Sequence, residues 1–319
     1  MQPHLSIVVP VYEEEESLPE LAVLLREVCE REGFSFEVWM IDDGSKDQSW
    51  EVIQQIHAED ARFAGIRFRR NYGKSAALAV GFQRSRGRYV VTIDADLQDD
   101  PNEIPALLAM LDEGNDLVSG WKKKREDPLS KKIPSKVINT ITRRLTGIDL
   151  HDINCGLKAY KRDVVKNIKV YGELHRYIPL LAKWQGFTRI VEKPVKHHAR
   201  KYGRTKFGIE RFARGFLDLL TTLFMTRFAA RPMHFFGSLG MMAFLGGFLI
   251  SLWISIDKLF FGNPIGDRPL LLFGVMLILL GSQMFATGLL GEMIIRPRME
   301  ETTSYQIVET MEPRVQEEA

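Results

Sequence analysis

Four aspartates and a glutamine stand at the ends of two apolar runs. MIDDGS carries Asp42 and Asp43, and TIDADLQ carries Asp94, Asp96 and Gln98. Crowded carboxylates repel one another and resist desolvation, so either they point into water or a cation takes their charge. Two such acid pairs at strand ends imply a pocket. Oxygen donors of this kind suit Mg2+ or Mn2+, which keeps part of its water and bridges protein to phosphate. A nucleoside diphosphate leaving group needs that stabilisation as its bond to a sugar breaks.

The elements that position these residues alternate. LSIVVPVY, FEVWMIDD, AGIRFRR, RYVVTIDAD and DLVSGW read as strands. SLPELAVLLREVCERE, DQSWEVIQQIHAED, KSAALAVGFQRSR and PNEIPALLAMLDEG carry 3.6-residue periodicity between them. Alternation of this kind predicts an α/β domain, a mostly parallel sheet covered by helices with right-handed crossovers. Ligands sit beyond the carboxyl ends of such strands, where all four aspartates fall. Further on, the spacing predicts a basic helix over 130–147, another near Leu174–Trp184, and a strand in TRIVEKPVKHH. KYGRTKFG, with two glycines and three bases, reads as a mobile loop.

The 319 residues carry a formal net charge of +2, which says little about partners because it hides segregation. Acids dominate early segments and bases cluster from Lys122 to Arg231. Cys29 and Cys155 lie far apart, with neither disulfide-framework nor zinc-site spacing. The N-terminus MQPHLSIVVPVY has no signal-peptide pattern.

Two late segments, Met233–Ile256 and Leu270–Ile295, are strongly apolar, the first with one histidine, His234, and no acid or lysine, the second similar apart from Glu292. Each exceeds the roughly 20 residues needed to cross hydrocarbon, and a short turn-rich loop joins them as a membrane hairpin. Arg211, Arg214, Arg227 and Arg231 precede the pair and Arg296 and Arg298 follow it, whereas Lys258 and Arg268 in the connection are balanced by Asp257 and Asp267. The positive-inside rule then places both chain ends in the cytoplasm. Residues 209–231 alternate apolar and basic positions at helical spacing and are expected to lie on the membrane surface. Gly240, Gly246 and Gly247 would permit close helix contact between protomers.

Taken in order, PVYEEEESLPEL, IDDGSKDQSW, RNYGKSAALAVGF and IDADLQDDPNEIP resemble the inverting family 2 glycosyltransferases of GT-A fold. Within them the chain is similar to polyisoprenyl-phosphate glycosyltransferases of the dolichyl-phosphate mannose synthase-like group. The resemblance is strongest to bacterial undecaprenyl-phosphate glycosyltransferases with a C-terminal two-helix hairpin, and it extends through Arg298. It implies a GT-A domain over 1–205, an amphipathic juxtamembrane helix over 206–231, a transmembrane hairpin over 232–297 and a cytoplasmic tail over 298–319, all in a bacterial inner membrane.

The resemblance also implies roles. Pro10, Tyr12 and Glu14 would line the nucleotide pocket, with Asp43 meeting the base beside Ile41. Asp94 and Ala95 would contact the nucleoside, and Asp96 and Gln98 would hold Mg2+ or Mn2+. Arg200 and Lys206, in ARKYGRTKFG, match a lid motif that closes over donor phosphates. Lys122 stands where relatives often carry an arginine near the diphosphate, and a lysine cannot supply the bidentate fork. Lys131 and Ser135 match acceptor-phosphate positions. Asp152, in DINCGLKAY, matches an acidic position near the acceptor and would orient it or act as an auxiliary base.

The implied partners are a nucleotide-sugar donor and a polyprenyl phosphate acceptor, with no nucleic acid and a homotetramer by resemblance. UDP is expected over GDP and UDP-glucose first among donors; UDP-aminoarabinose-type, UDP-GlcNAc and GDP-mannose donors are the alternatives. A processive polysaccharide synthase would carry a Q-x-x-R-W motif and more spans, and neither is present. A non-catalytic membrane anchor is the remaining alternative; the intact Asp43, Asp94, Asp96 and Gln98 speak against it.

Overall fold

β-Branched and aromatic runs supply seven strands, and amphipathic helices cover both sheet faces. The computed structural model describes residues 3–123, 150–199, 201, 232–262, 264 and 268–301, the last seven by backbone only. The predicted basic helix over 130–147 and surface helix over 209–231 lie outside these residues, as does the KYGRTKFG loop apart from Lys201. Two compact units divide the chain, Met1–Leu219 and Leu220–Ala319.

In the first unit, β1 (Leu5–Val11), α1 (Leu18–Arg31), β2 (Phe36–Asp42), α2 (Ser49–Glu59), β3 (Phe63–Arg67), α3 (Lys74–Arg84) and β4 (Tyr89–Thr92) alternate as expected. They are followed by α4 (Ile104–Asp112), β5 (Leu117–Trp121), β6 (Lys158–Lys161), α5 (Arg162–Asn167), α6 (Ile178–Trp184) and β7 (Ile190–Pro194). The sheet order is β3-β2-β1-β4-β6-β5-β7. All neighbours run parallel except β6, which is antiparallel to both β4 and β5.

Two-residue alternation sorts the core. Leu5, Ile7, Val9 and Val11 face a cluster with Leu21 and Leu25 of α1, Ile53 of α2 and Leu107 of α4. Val8 points the other way, onto Leu78 and Phe82 of α3, with Val165 and Ile178 in the same cluster. From β1 the chain winds outward through β2 to β3; α3 then crosses the opposite face and β4 pairs with the free side of β1. The strand order therefore reverses between β1 and β4, and a ligand crevice opens beyond their carboxyl ends.

Some boundaries differ from the expectation. The strand read over RYVVTIDAD stops at Thr92, so Asp94 and Asp96 stand in a turn where Leu97 takes a left-handed φ of 57°. A ladder position would have desolvated carboxylates that a turn leaves half-buried. The helix read from Pro101 begins as a 3-10 turn, Pro101–Glu103, capped by the Asp100 carboxylate on the Asn102 N–H at 2.9 Å. Strand β6, KAYK, was not anticipated.

In the second unit, α7 (Pro232–Phe261) and α8 (Pro269–Glu301) are long and apolar enough to cross a membrane. Glycines bring their backbones together. A Cβ on Gly240 would stand 2.7 Å from the Gly281 carbonyl oxygen, and one on Gly247 would stand 2.3 Å from that of Gly274. Gly240 and Gly247 are thus used inside the hairpin, and of the three glycines expected at a protomer contact Gly246 alone faces open space. Across the connection, the Arg268 guanidinium pairs with Asp257 at 2.7 Å.

Near the amino-terminal end of β2, the buried Glu37 carboxylate accepts from the Ser6 hydroxyl at 2.7 Å and the Arg86 N–H at 2.7 Å, and pairs with the Arg86 guanidinium at 2.8 Å. Burial alone would raise its pKa; the hydrogen bonds from Ser6 and Arg86 outweigh it and hold the group below its ordinary value of 4.5. The stabilisation is therefore complete above that value and is lost as pH falls through the folded-state pKa. Glu37→Ala is expected to lower stability by about 1–3 kcal/mol at pH 7 and to flatten the acid dependence. Thermal unfolding of the solubilised protein at pH 7 and pH 4 measures both effects.

Candidate active site

Three turns meet at the crevice. The first follows β1, whose Pro10 lies opposite Ile41 in register. It is fastened to the turn after β2: the Asp43 N–H donates to the Val11 carbonyl at 2.8 Å, and the N–H groups of Glu13 and Glu14 donate to the Ser45 and Ser49 hydroxyls, each at 2.9 Å. Glu13 adopts a left-handed φ of 53° to make this turn. Tyr12 and Glu14 stay half-buried at the mouth. Ile41 is fully buried and can only back the pocket.

Asp43 is buried and braces a third segment. Its two carboxylate oxygens accept from the Tyr72 N–H at 2.7 Å and the Gly73 N–H at 2.8 Å. Burial raises its pKa, opposed by those two bonds. Gly44, with φ of 72°, lies so close to this segment that a Cβ would stand 2.4 Å from the Arg70 carbonyl carbon. The brace sets where α3 begins, and with it Lys74.

Lys74 takes the charge of the first DxD aspartate: its ammonium lies 2.5 Å from Asp94 Oδ1. Ala95 is buried behind it. Asp96 and Gln98 are half-buried, and Asp96 Oδ1 accepts from the Gln98 N–H at 3.2 Å, which closes the turn. Gly156 abuts Asp94 from the other side.

Lys122 stands just beyond β5. It lies 2.9 Å from the fully buried Asp99, which also faces His197 at 3.7 Å. Burial pulls Lys122 down, but Asp99 outweighs it and holds the ammonium charged; burial pushes Asp99 up, and His197 and Lys122 outweigh that. Asp99 and His197 also form a β-bridge, and the His198 N–H donates to the Gln98 carbonyl at 2.8 Å. The turn carrying Asp96 and Gln98 is therefore tied to the ends of β5 and β7. Asp152 is buried. Arg200, Lys206, Lys131 and Ser135 lie outside the described residues. Burial pushes the thiols of both Cys29 and Cys155 up to about 12, which disfavours the thiolate at neutral pH.

The crevice thus brings together Pro10, Tyr12, Glu14, Ile41, Asp43, Asp94, Ala95, Asp96 and Gln98, with Lys122 paired to Asp99. The residues missed from sequence are Lys74, Asp99, Lys158 and His197. Three of these stand in motifs already singled out, RNYGKSAALAVGF, IDADLQDDPNEIP and DINCGLKAY, and His197 closes the strand-like TRIVEKPVKHH.

Residues 6–169 match the family described as Glycosyl transferase family 2. The chain belongs to that family. It is 41% identical to a dodecaprenyl-phosphate galacturonate synthase of Rhizobium johnstonii, over 92% of this chain and 88% of that one. It is 40% identical to an undecaprenyl-phosphate 4-deoxy-4-formamido-L-arabinose transferase of Shewanella sediminis, over 91% and 87%. Among solved structures, glucosyl-3-phosphoglycerate synthase of Mycobacterium tuberculosis has a TM-score of 0.54 at 20% identity, over 69% of this chain and 80% of that one. Its complex with Mn2+ and UDP-glucose gives 0.53 at the same identity, over 69% and 79%. At such identity the likeness shows the GT-A fold alone.

In this family 2 glycosyltransferase, no group of three or more His, Cys, Asp or Glu side chains forms a metal cage among the described residues. One carboxylate and one amide, Asp96 and Gln98, fit a hard cation whose remaining ligands are water and substrate phosphate. The buried Asp99–Lys122 pair holds that turn in the transferase, and removing one partner strands the other charge. Asp99→Ala is expected to cost about 3–5 kcal/mol, and Asp99→Ala with Lys122→Met distinctly less than the sum of the single changes. Denaturation of the two single variants and the double variant checks this coupling.

Proposed function

We propose that the chain transfers one sugar from a nucleotide sugar to a polyprenyl phosphate, inverting the anomeric centre. The observation that carries this reading is the convergence of the Asp43, Asp94 and Asp96–Gln98 turns on the β1/β4 crevice. It is supported by relatives aligned over nine-tenths of the chain and by two helices able to cross a membrane.

The β1 and β2 turns would receive the nucleoside, with Pro10, Tyr12 and Glu14 on one side and Asp43 beside Ile41 on the other. Asp94 and Ala95 would complete that pocket. Lys74, held on Asp94, puts a positive charge where donor phosphates arrive. Asp96 and Gln98 would hold Mg2+ or Mn2+, which when bound stabilises the departing diphosphate. A lipid monophosphate, with a second pKa of about 6, is already anionic near neutral pH and needs alignment more than a strong base. Asp152 would orient it, Lys131 and Ser135 would bind its phosphate, and Arg200 and Lys206 would close over the donor. An α-linked donor attacked from the opposite face gives a β-linked lipid product.

The donor we infer is UDP-linked. UDP-glucose remains the first choice from sequence, and the relatives' names add galacturonate and 4-deoxy-4-formamido-L-arabinose as sugars for the same panel. We further infer an inner-membrane enzyme with both chain ends cytoplasmic and protomers assembling as a tetramer.

Purified protein supplied with polyprenyl phosphate, Mg2+ or Mn2+ and radiolabelled nucleotide sugars is expected to form a lipid-linked monosaccharide from one donor. Chelation should abolish transfer, and Asp96→Ala should lower kcat by about a hundredfold or more. Long polymer would identify a processive synthase, and no transfer from any donor an anchor.

A further inference from the structure

Strand β6 carries a lysine into the interior. Lys158 is 3% exposed, and its Cα lies opposite Thr92 of β4 and Ser119 of β5. Its ammonium donates to the Cys155 carbonyl. One position along, the Thr92 hydroxyl donates to the Gly156 carbonyl at 2.9 Å. Two successive carbonyls of one turn are thus held from the sheet by side chains, where no ladder bond reaches them.

That turn supports Asp94. A Cβ on Gly156 would stand 2.4 Å from Asp94 Oδ2 and 2.6 Å from its Cγ, so only the bare glycine lets the backbone come this close. On its other oxygen Asp94 meets Lys74. The carboxylate is held between an ammonium and a glycine backbone, and the glycine is placed by Lys158 and Thr92. Burying a lysine is unfavourable: burial, with the nearby Lys74 ammonium, pulls its pKa down, and Cys155, Asp152 and Asp94 oppose this only in part. An apolar side chain of similar length would fill the space without that penalty, so packing alone does not explain an ammonium here.

Resting on the transferase reading above, we infer that Lys158 and Thr92 are positioning residues for donor binding, acting on the Asp94 carboxylate through the Cys155–Gly156 turn. Neither touches substrate. Their removal should loosen Asp94 and weaken the donor while leaving the acceptor alone.

The test uses full-length protein as wild type, Lys158→Met, Thr92→Val, Asp94→Asn and both double variants with Asp94→Asn. Donor KM, acceptor KM and UDP affinity by calorimetry are measured. Lys158→Met and Thr92→Val are each expected to raise donor KM and the UDP Kd by about tenfold, with acceptor KM unchanged. On the Asp94→Asn background they should add little to the UDP Kd, because the group they act through is already altered. Effects that add fully to Asp94→Asn, or that move donor and acceptor KM together, would show a merely structural role and overturn the inference. If Lys158→Met does not fold, Thr92→Val, which at nearly constant shape removes the bond to Gly156 and a longer one to the Tyr160 hydroxyl at 3.4 Å, decides alone. A wild type that transfers no sugar would sink the transferase reading and this inference with it. An active wild type whose variants match it would sink this inference only.

Discussion

Like charges gathered at the carboxyl edge of a parallel sheet must be neutralised where they stand, and the loops of the catalytic unit are arranged by that requirement. Asp94 is met by Lys74 from α3, Asp99 by Lys122 beyond β5 and His197 beyond β7, and Asp43 by two N–H groups before α3. In every case the partner comes from a different element than the acid. Neutralising the charge therefore also ties the loops, which would otherwise be free to drift. Even the amino-terminal end of β2 obeys the rule, where Glu37 is satisfied by Ser6 on β1 and Arg86 after α3.

Much of this was legible in the sequence because the signals are local. RYVVTI is β-branched and short, and its acids follow directly, so the position of Asp94 and Asp96 beyond a buried strand could be read without coordinates. The β1–α1–β2–α2–β3–α3–β4 alternation and the hairpin were legible for the same reason: periodicity and length are properties of contiguous residues. Partner choice is not. Lys74 meets an acid 20 positions away only because α3 recrosses the sheet, and Lys122 turns to Asp99 because that carboxylate is fully buried beside it. Family resemblance pointed Lys122 at substrate. What the sequence could not tell is that the same ammonium also pairs with Asp99.

Strand β6 was hidden for a different reason. KAYK places lysines at both ends of four residues, and its apolar content is too small to signal a central strand. What makes it one is its neighbours: Ala159 and Tyr160 complete the two cores, and the antiparallel pairing fills the gap between β4 and β5. Glycine was likewise readable as a helix-contact residue but not as to which contact. Gly240 and Gly247 close the hairpin on itself, so glycine content alone could not specify a partner protomer.

The lysines around the acidic edge are graded in exposure, and the grading sorts what each can do. Lys74 is 33% exposed on its side chain, Lys122 12%, and Lys158 is 3% exposed overall. A cation can exchange one anion for another only where water can enter to solvate the group left behind. Moving Lys122 would strand the Asp99 carboxylate in the interior, a penalty larger than any gain from one phosphate contact. Lys74 faces no such barrier, since Asp94 is itself 30% exposed. Among these three described lysines the deeper two are the more firmly held, and Lys74 is the one most open to exchanging its partner.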